Sequence, residues 1–144
     1  MNKGVVYIIT ANKEQTERIN RKLKEKNITI QDANLPLTKV CTVKLKTGYF
    51  IGIDKSLKAP ERKAAIYHEL GHIFTNAFYD IGEPSRTEQE QKAEQWSIEH
   101  LCTHREYKNL IKQGYDNAIK LAKQLEITTE LADKIIKHYD NILI

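Results

Sequence analysis

The order of the predicted elements indicates an α+β fold, because strand patterns fill the first part of the chain and helix patterns the rest. Short apolar, β-branched runs occur before residue 54, whereas residues 60–142 show the three- and four-residue apolar spacing of helices. The chain has 144 residues, a length that suits a single domain. We therefore expect a small antiparallel or mixed sheet in a core over residues 1–104, followed by a helical extension over residues 105–144.

The first half of the chain is predicted to hold strands and one helix. Residues 5–10 form a short apolar strand, and residues 13–26 form a helix whose apolar positions include Ile19 and Leu23. Residues 28–39 are interpreted as a short strand followed by a loop. Residues 40–45 and 49–53 flank the sequence Lys46-Thr47-Gly48 and are predicted to pair as a hairpin, with Gly48 supplying a positive φ angle in the turn.

The second half is predicted to be helical. Pro60 suits the first turn of a helix that runs to about residue 79, and capping patterns near residue 87 open a second helix that runs to about residue 104. One or two helices follow over residues 105–125, with a bend near Gly114, and a last helix spans about 129–142.

Composition and charge exclude several classes of protein. Hydrophobic residues make up 40% and charged residues 29% of the chain, which is ordinary for a globular protein and excludes a disordered or collagen-like chain. A membrane span needs about 20 consecutive apolar residues, and no apolar run in the chain approaches that length. The N-terminus lacks the pattern of a signal peptide. Cys41 and Cys102 are too few for a disulfide framework and are expected as free thiols. These features favour a cytoplasmic protein without a membrane partner.

The net charge of +4 is unevenly distributed along the chain. Residues 1–63 carry 14 Lys and Arg against 6 Asp and Glu, whereas residues 64–104 carry 2 against 7. Much of the basic excess falls on the solvated side of the helix over residues 13–26, so it does not favour a nucleic-acid partner. The acidic segment is the more informative one, because it holds the candidate functional residues.

The central motif is His68-Glu69-Leu70-Gly71-His72, an H-E-x-x-H sequence inside a predicted helix. Residues four apart lie one above the other on a helix, so both imidazoles can reach one tetrahedral metal ion. Glu69 lies next to that face, where its carboxylate is placed to accept a proton from a nucleophilic water. Glu69 is also the only charged residue between residues 64 and 79, so the helix is expected to be buried and its histidines to face protein or a cleft.

A catalytic zinc site needs a third protein ligand and an open fourth position. Glu90 is favoured as that ligand because it continues the apolar stripe of the following helix, formed by Ala93, Ser97 and Leu101, and should point inward. Glu88 is the alternative. Glu94 lies one turn after Glu90 and is expected to orient a ligand histidine by a hydrogen bond.

Two further patterns are weaker. His100 and His104 share the four-residue spacing on the same predicted helix, but no acidic residue is positioned beside them as Glu69 is beside His68 and His72, so packed core histidines are favoured. Residues 118–136 have apolar positions like those of a helix-turn-helix, with Glu126 at the usual position of the turn glycine. Glu130 and Asp133 would face phosphates there, so a helical hairpin that packs on the core or receives a protein is favoured over DNA binding.

These motifs resemble those of the ImmA/IrrE family of zinc metallopeptidase-like proteins of phages, mobile elements and bacterial stress regulators. The resemblance is carried by residues 68–72 after a hairpin and by the segment from Glu90 to Ser97, which is similar to the family pattern E-x-x-A-[N/D]-x-F-[A/S]. Glu94 stands where Asn or Asp is usual, and Trp96 where Phe is usual. The resemblance implies a zincin-like fold, Zn²⁺ held by His68, His72 and Glu90, and Glu69 as the catalytic base.

The resemblance also implies a function. Members of this family are expected to cleave a helix-turn-helix repressor, which makes this chain a gluzincin-like endopeptidase of narrow specificity with a protein substrate. Residues 49–53 are then either an edge strand on which an extended substrate could lie or an ordinary inner strand. A non-proteolytic regulator on a zinc-binding scaffold and a DNA-binding regulator are the alternatives. The sequence leaves the oligomeric state open.

Overall fold

The structure is a computed structural model that describes residues 13–76 and 86–141. Within these ranges it contains six helices and three strands, so the α+β prediction is confirmed. The elements are α1 (Lys13–Glu25), β1 (Ile28–Ala33), β2 (Val40–Lys44), β3 (Tyr49–Asp54), α2 (Ala59–Thr75), α3 (Arg86–Leu101), α4 (His104–Lys112), α5 (Ala118–Leu125) and α6 (Thr129–Asp140). The strand predicted over residues 5–10 lies outside the described part of the chain. None of the helices in these ranges combines the length and apolar character needed to cross a bilayer.

The chain divides into two compact units, Met1–Ile66 and Tyr67–Ile144, and the boundary falls within α2. The single-domain assignment, with its division at residue 104, stays a prediction. Each unit is described in turn.

The first unit is built on a small mixed sheet with strand order β1-β3-β2. β1 pairs with β3 in parallel, and β2 pairs with β3 in the antiparallel hairpin that the sequence predicts. Ile30, Ile51 and Ile53 are fully buried on one face, and Ile19 of the neighbouring helix α1 is buried as well. The hydrophobic effect of these branched side chains therefore holds α1 and the sheet together.

The position of β3 decides between the two interpretations of residues 49–53. Ile51 lies opposite Ile30 of β1 on one side and Thr42 of β2 on the other, so β3 is the middle strand of the described sheet. A strand paired on both sides offers no row of free N–H and C=O groups to a substrate. The edge-strand interpretation is therefore wrong for β3.

Gly48 lies in the predicted turn, but glycine is required there for a reason other than a positive φ angle. Its φ angle is not positive, and the positive φ angle in this region belongs to Asn27, at +52°. A Cβ atom at Gly48 would lie 2.9 Å from the Cβ of Asn27 and still closer to its carbonyl oxygen. Asn27 Nδ2 donates to the carbonyl of Thr47 at 2.8 Å, and the N–H of Tyr49 donates to the carbonyl of Asn27 at 3.2 Å. Glycine is needed here because another turn packs directly against its backbone.

Two polar contacts, one of them buried, fix the first half of α2 within this unit. Lys63 is buried, and its ammonium donates to Oε1 of Gln15 in α1 at 3.1 Å. Arg62 forms an ion pair with Asp32 at the end of β1. A buried ammonium without an acceptor would be costly, so Gln15 makes this position of Lys63 possible.

Two helix ends in the second unit differ from the sequence prediction. α2 ends at Thr75 rather than near residue 79, because Asn76 adopts a left-handed conformation with φ +54°. α3 ends at Leu101 rather than at residue 104, because Thr103 begins the next helix with a capping box. The Thr103 hydroxyl accepts from the N–H of Glu106 at 3.2 Å, and the Glu106 carboxylate accepts from the N–H of Thr103 at 2.9 Å.

The C-terminal helices pack around Tyr139 of α6. Its ring stacks on His104 and Tyr107 of α4, with ring centroids 5.0 and 5.1 Å apart. The Tyr107 hydroxyl donates to Oδ1 of Asp140 at 2.9 Å, and burial together with this bond raises the pKa of Tyr107 to about 12. The bend predicted near Gly114 is present, since this glycine has φ +100° between α4 and α5.

Candidate metal centre

Helix α2 brings its two motif histidines to one point. His68 and His72 are one helical turn apart, and their Nε2 atoms lie 3.2 Å from each other. The two rings meet nearly edge to face, with an interplanar angle of 83°. Ile66, Leu70 and Ile73 form the buried stripe elsewhere on the helix, as their spacing predicts.

Helix α3 supplies the third side chain, Glu90. Its Oε2 atom lies 3.0 Å from Nε2 of His68, and its Oε1 atom lies 3.4 Å from Nε2 of His72. The three residues form a group whose ligand atoms all lie within 4.8 Å of one another. The apolar stripe that predicts this orientation of Glu90 is buried, since Ala93, Ser97 and Leu101 are each at most 3% exposed.

The donor atoms of the three residues are spaced to suit a divalent metal ion of the size of zinc. Ligands at about 2.0–2.1 Å around a tetrahedral ion are separated by about 3.3 Å, the edge of the tetrahedron. The two Nε2 atoms lie 3.2 Å apart, and the Glu90 carboxylate reaches them with different oxygens, Oε2 at 3.0 Å from His68 and Oε1 at 3.4 Å from His72, all close to that length. Two imidazole nitrogens with one carboxylate oxygen are also a donor set found in zinc hydrolases. The residues therefore fit the ion in both spacing and chemistry.

The group is buried on one side and reachable from solvent on the other. The side chain of His72 is 9% exposed, whereas those of His68 and Glu90 are 39% and 36% exposed. The accessible side is where a fourth ligand could approach. Glu69, on the same turn of α2 as His72, is half-buried.

The two other glutamates near Glu90 do not join the group. Glu88 is exposed at the start of α3, where its charge suits the helix N-terminus. Glu94 lies 3.6 Å from the ammonium of Lys134 in α6, and within the described ranges it makes no hydrogen bond to His68 or His72. The ion pair with α6 is the contact that the structure gives Glu94, and its role in orienting a ligand histidine stays a prediction.

His100 and His104 do not form a second pair on one helix, because the chain turns between them. His100 lies in α3, where Nδ1 donates to the carbonyl of Trp96 at 2.9 Å and its ring stacks on the indole of Trp96 at 3.9 Å. His104 begins α4 and stacks on Tyr139. Both are packed histidines, as favoured from the sequence. Cys41 and Cys102 are free thiols, as predicted.

Sequence reasoning missed two contacts that join α2 to α3 beside the ligands. Gly71 approaches the backbone of Ala93 so closely that a Cβ atom there would lie 2.9 Å from the carbonyl carbon of Ala93 and closer still to its oxygen. Phe74 stacks on Trp96 with ring centroids 4.9 Å apart and planes within 8° of parallel. Residue spacing was the signal that could have revealed these contacts. Gly71 and Phe74 lie three and six residues after His68, and Ala93 and Trp96 lie three and six residues after Glu90.

An α+β fold that brings two histidines and a glutamate to one point is compatible with a metallopeptidase-like domain. A family model described as the IrrE N-terminal-like domain, of the Peptidase M78 family, matches residues 20–137. The chain therefore belongs to this family, and the resemblance stated from its motifs is confirmed. Comparisons with curated proteins and with solved structures gave no significant match.

Proposed function

We propose that this protein is a zinc-dependent endopeptidase of narrow specificity, gluzincin-like in its ligands and zincin-like in its fold. The observation that supports the proposal most directly is the convergence of His68, His72 and Glu90, with Glu69 on the same helical turn as His72. Membership of a metallopeptidase family supports the same activity.

Three side chains would hold the metal ion. The neutral imidazoles of His68 and His72 offer Nε2 atoms, and Glu90 offers a carboxylate oxygen. Zinc, when bound, supplies a Lewis acid that makes a water acidic near neutral pH and polarises a carbonyl group. Zinc is the metal proposed because two histidines four residues apart on a helix, with a glutamate between them as a base, are the pattern of zinc peptidases.

Glu69 supplies the proton transfers in the proposed mechanism. As a carboxylate it accepts a proton from the attacking water, and as a carboxylic acid it donates that proton to the leaving amide nitrogen. A purely structural metal site has no need of such a residue. The presence of Glu69 beside the ligands therefore favours a catalytic site over a structural one.

We propose a protein substrate, and specifically a helix-turn-helix repressor whose cleavage switches on the genes that it controls. This proposal rests on the ImmA/IrrE membership of the chain. A substrate of this kind is cytoplasmic, which agrees with the two free cysteines.

The metal content of the purified protein tests the site. We expect about one zinc ion per chain, and we expect Glu90→Ala to lose it or bind it far more weakly. Glu88→Ala is the matched control, because it removes an exposed glutamate two residues away and should leave the zinc in place. Zinc retained by Glu90→Ala and lost by Glu88→Ala would contradict the ligand assignment.

A second variant tests the enzyme. Glu69→Gln removes the base and keeps the size of the side chain, so we expect zinc content to be unchanged and repressor cleavage to be lost. The assay is co-expression with candidate helix-turn-helix repressors, followed by mass spectrometry of the fragments. Regulation that survives Glu69→Gln without any cleavage would instead favour the non-proteolytic regulator.

A further inference from the structure

The contacts between α2 and α3 in the second unit form a ladder of three pairs at three-residue steps. The ladder consists of His68 with Glu90, Gly71 with Ala93, and Phe74 with Trp96. The residue numbers ascend together along both helices. Residues three apart share a helix face, so one face of α2 meets one face of α3 along the whole ladder.

The middle pair fixes the distance between the two helices. Because Gly71 has no side chain, the backbone of Ala93 lies where a Cβ atom would stand. The three nearest neighbours of that Cβ are all backbone atoms of Ala93, which cannot rotate away as a flexible side chain would. Any larger residue at position 71 must push the two backbones apart, and the ligand pair lies one turn along the same faces.

The third pair fixes the register of the helices. The Phe74 ring lies flat on Trp96, and the indole of Trp96 also stacks on His100 with ring centroids 3.9 Å apart. His100 is itself held by its bond to the Trp96 carbonyl. A slip of α3 along α2 would therefore break an aromatic stack as well as the ligand pair.

We propose that Gly71 and Trp96 are positioning residues that hold the Glu90 carboxylate against His68 and His72. Gly71 sets the separation of the helices, and Trp96 sets their register. The proposal deepens the proposed function and rests on its metal site, and it assigns neither residue a contact with the metal or the substrate. It gives a physical reason for a glycine inside a helix, where alanine would otherwise be the better helix former.

A double-mutant cycle on zinc affinity tests the role of Gly71. Affinity is measured by competition with a chromogenic chelator, on full-length protein whose fold is checked by circular dichroism. We expect Gly71→Ala to weaken zinc binding by about 10- to 100-fold, the range for residues that orient ligands. In a Glu90→Ala background the same change should add about twofold or less, because the ligand that it positions is already absent.

Gly114→Ala is the matched control. Gly114 has φ +100° with open space around it, so alanine there strains the backbone without touching the ladder. We expect this variant to lose thermal stability and to keep its zinc affinity. A loss of affinity in Gly114→Ala equal to that in Gly71→Ala would overturn the proposal, because general destabilisation would then explain both.

Trp96 provides an independent test in case Gly71→Ala fails to fold. Trp96→Phe keeps a ring for the stack and should retain both zinc affinity and the visible spectrum of four-coordinate cobalt(II). Trp96→Leu removes the ring and should weaken binding and shift the cobalt spectrum towards that of Glu90→Ala. Equal spectra and affinities for the Phe and Leu variants would overturn the role of Trp96.

The remaining outcomes distinguish a failure of the proposed metal site from a failure of the positioning role of the ladder. If the unsubstituted protein bound no zinc, the proposed function would fail and the ladder with it. If it bound zinc and Gly71→Ala bound equally well, only the ladder would fail. If Gly71→Ala weakened zinc binding equally in the presence and absence of Glu90, Gly71 would not act by positioning Glu90, and the proposal would be overturned.

Discussion

Asp54, at the end of β3, is a carboxylate that ties two loops of the first unit together. It accepts from the Ser56 hydroxyl, from the N–H of Leu35 at 2.6 Å and from the N–H of Ser56 at 3.1 Å. The ammonium of Lys39 lies 3.6 Å away. The bond from the Ser56 hydroxyl, with that from the Leu35 N–H, lowers the pKa of Asp54 to about 2.

This lowered pKa makes part of the stability depend on pH. Because the pKa of Asp54 is lower in the folded state than the about 3.9 of an unfolded aspartate, its contribution is present above about pH 4. It is lost as the pH falls towards 2. We expect Asp54→Asn to lower the free energy of unfolding in urea at pH 7, and the gap to the unsubstituted protein to close between pH 4 and pH 2.

Asp116→Asn is the control for that experiment, since Asp116 is an exposed carboxylate two residues before α5. Its free energy of unfolding should follow that of the unsubstituted protein across the pH range. A constant gap between Asp54→Asn and the unsubstituted protein from pH 7 to pH 2 would show that the carboxylate charge contributes nothing.

The α5–α6 pair is a helical hairpin with a tight turn. The turn begins at Glu126, which caps α5 in a left-handed conformation with φ +60°, and Thr128 then caps α6. The apolar positions that the sequence predicts for the hairpin are buried, namely Leu121, Ala122, Leu125, Ile127, Ala132 and Ile135. The first exposed residues of α6 include Glu130, so the surface at this end of the helix carries a charge that phosphates repel.

Glu126 is a position where glycine should stabilise the fold. A left-handed conformation is strained for a residue with a Cβ atom and relaxed for glycine. We expect Glu126→Gly to raise the free energy of unfolding by about 1 kcal/mol, because glycine is the preferred residue at this end of a helix. Thermal or urea unfolding measures the gain. Glu126→Ala keeps the Cβ atom and removes the carboxylate, so it should show no comparable gain.

The second unit as a whole should respond to metal, because the candidate ligands come from two helices. An ion that binds the folded state alone adds RT ln(1 + [L]/Kd), or about 2.7 kcal/mol at a concentration 100 times Kd. We therefore expect zinc to raise the melting temperature and a chelator to lower it. Glu90→Ala should show a much smaller zinc-dependent shift in melting temperature, and an undiminished shift in that variant would point to binding elsewhere.

Much of this fold could be predicted because its signals are local. The hairpin follows from two strand patterns around residues 46–48, and the histidine pair follows from four-residue spacing on a helix. The inward direction of Glu90 follows from the apolar stripe that it continues. In each case the residues that determine the local structure lie close together in the sequence.

The features that could not be predicted depend on partners distant in sequence. Glu94 pairs with Lys134, forty residues away, and nothing near Glu94 marks that partner. β3 is an inner strand because β1 also pairs with it, and strand neighbours are set by packing rather than by the pattern within one strand. The ends of α2 at Thr75 and of α3 at Leu101 each depend on one residue. These are Asn76, with its left-handed conformation, and Thr103, which caps the next helix.

The close approach of Gly48 to Asn27 has a consequence for the order in which the first unit folds. The β2–β3 hairpin closes over a four-residue connection. β1 and β3 are separated in sequence by the whole of β2 and its two connections, so their parallel pairing has to close a longer loop. The contact at Gly48 joins the turn before β1 to the turn before β3, so it starts the parallel pairing at its first residues, Ile28 and Tyr49. We expect Gly48→Ala to slow refolding more than it speeds unfolding, as stopped-flow rates in urea would measure.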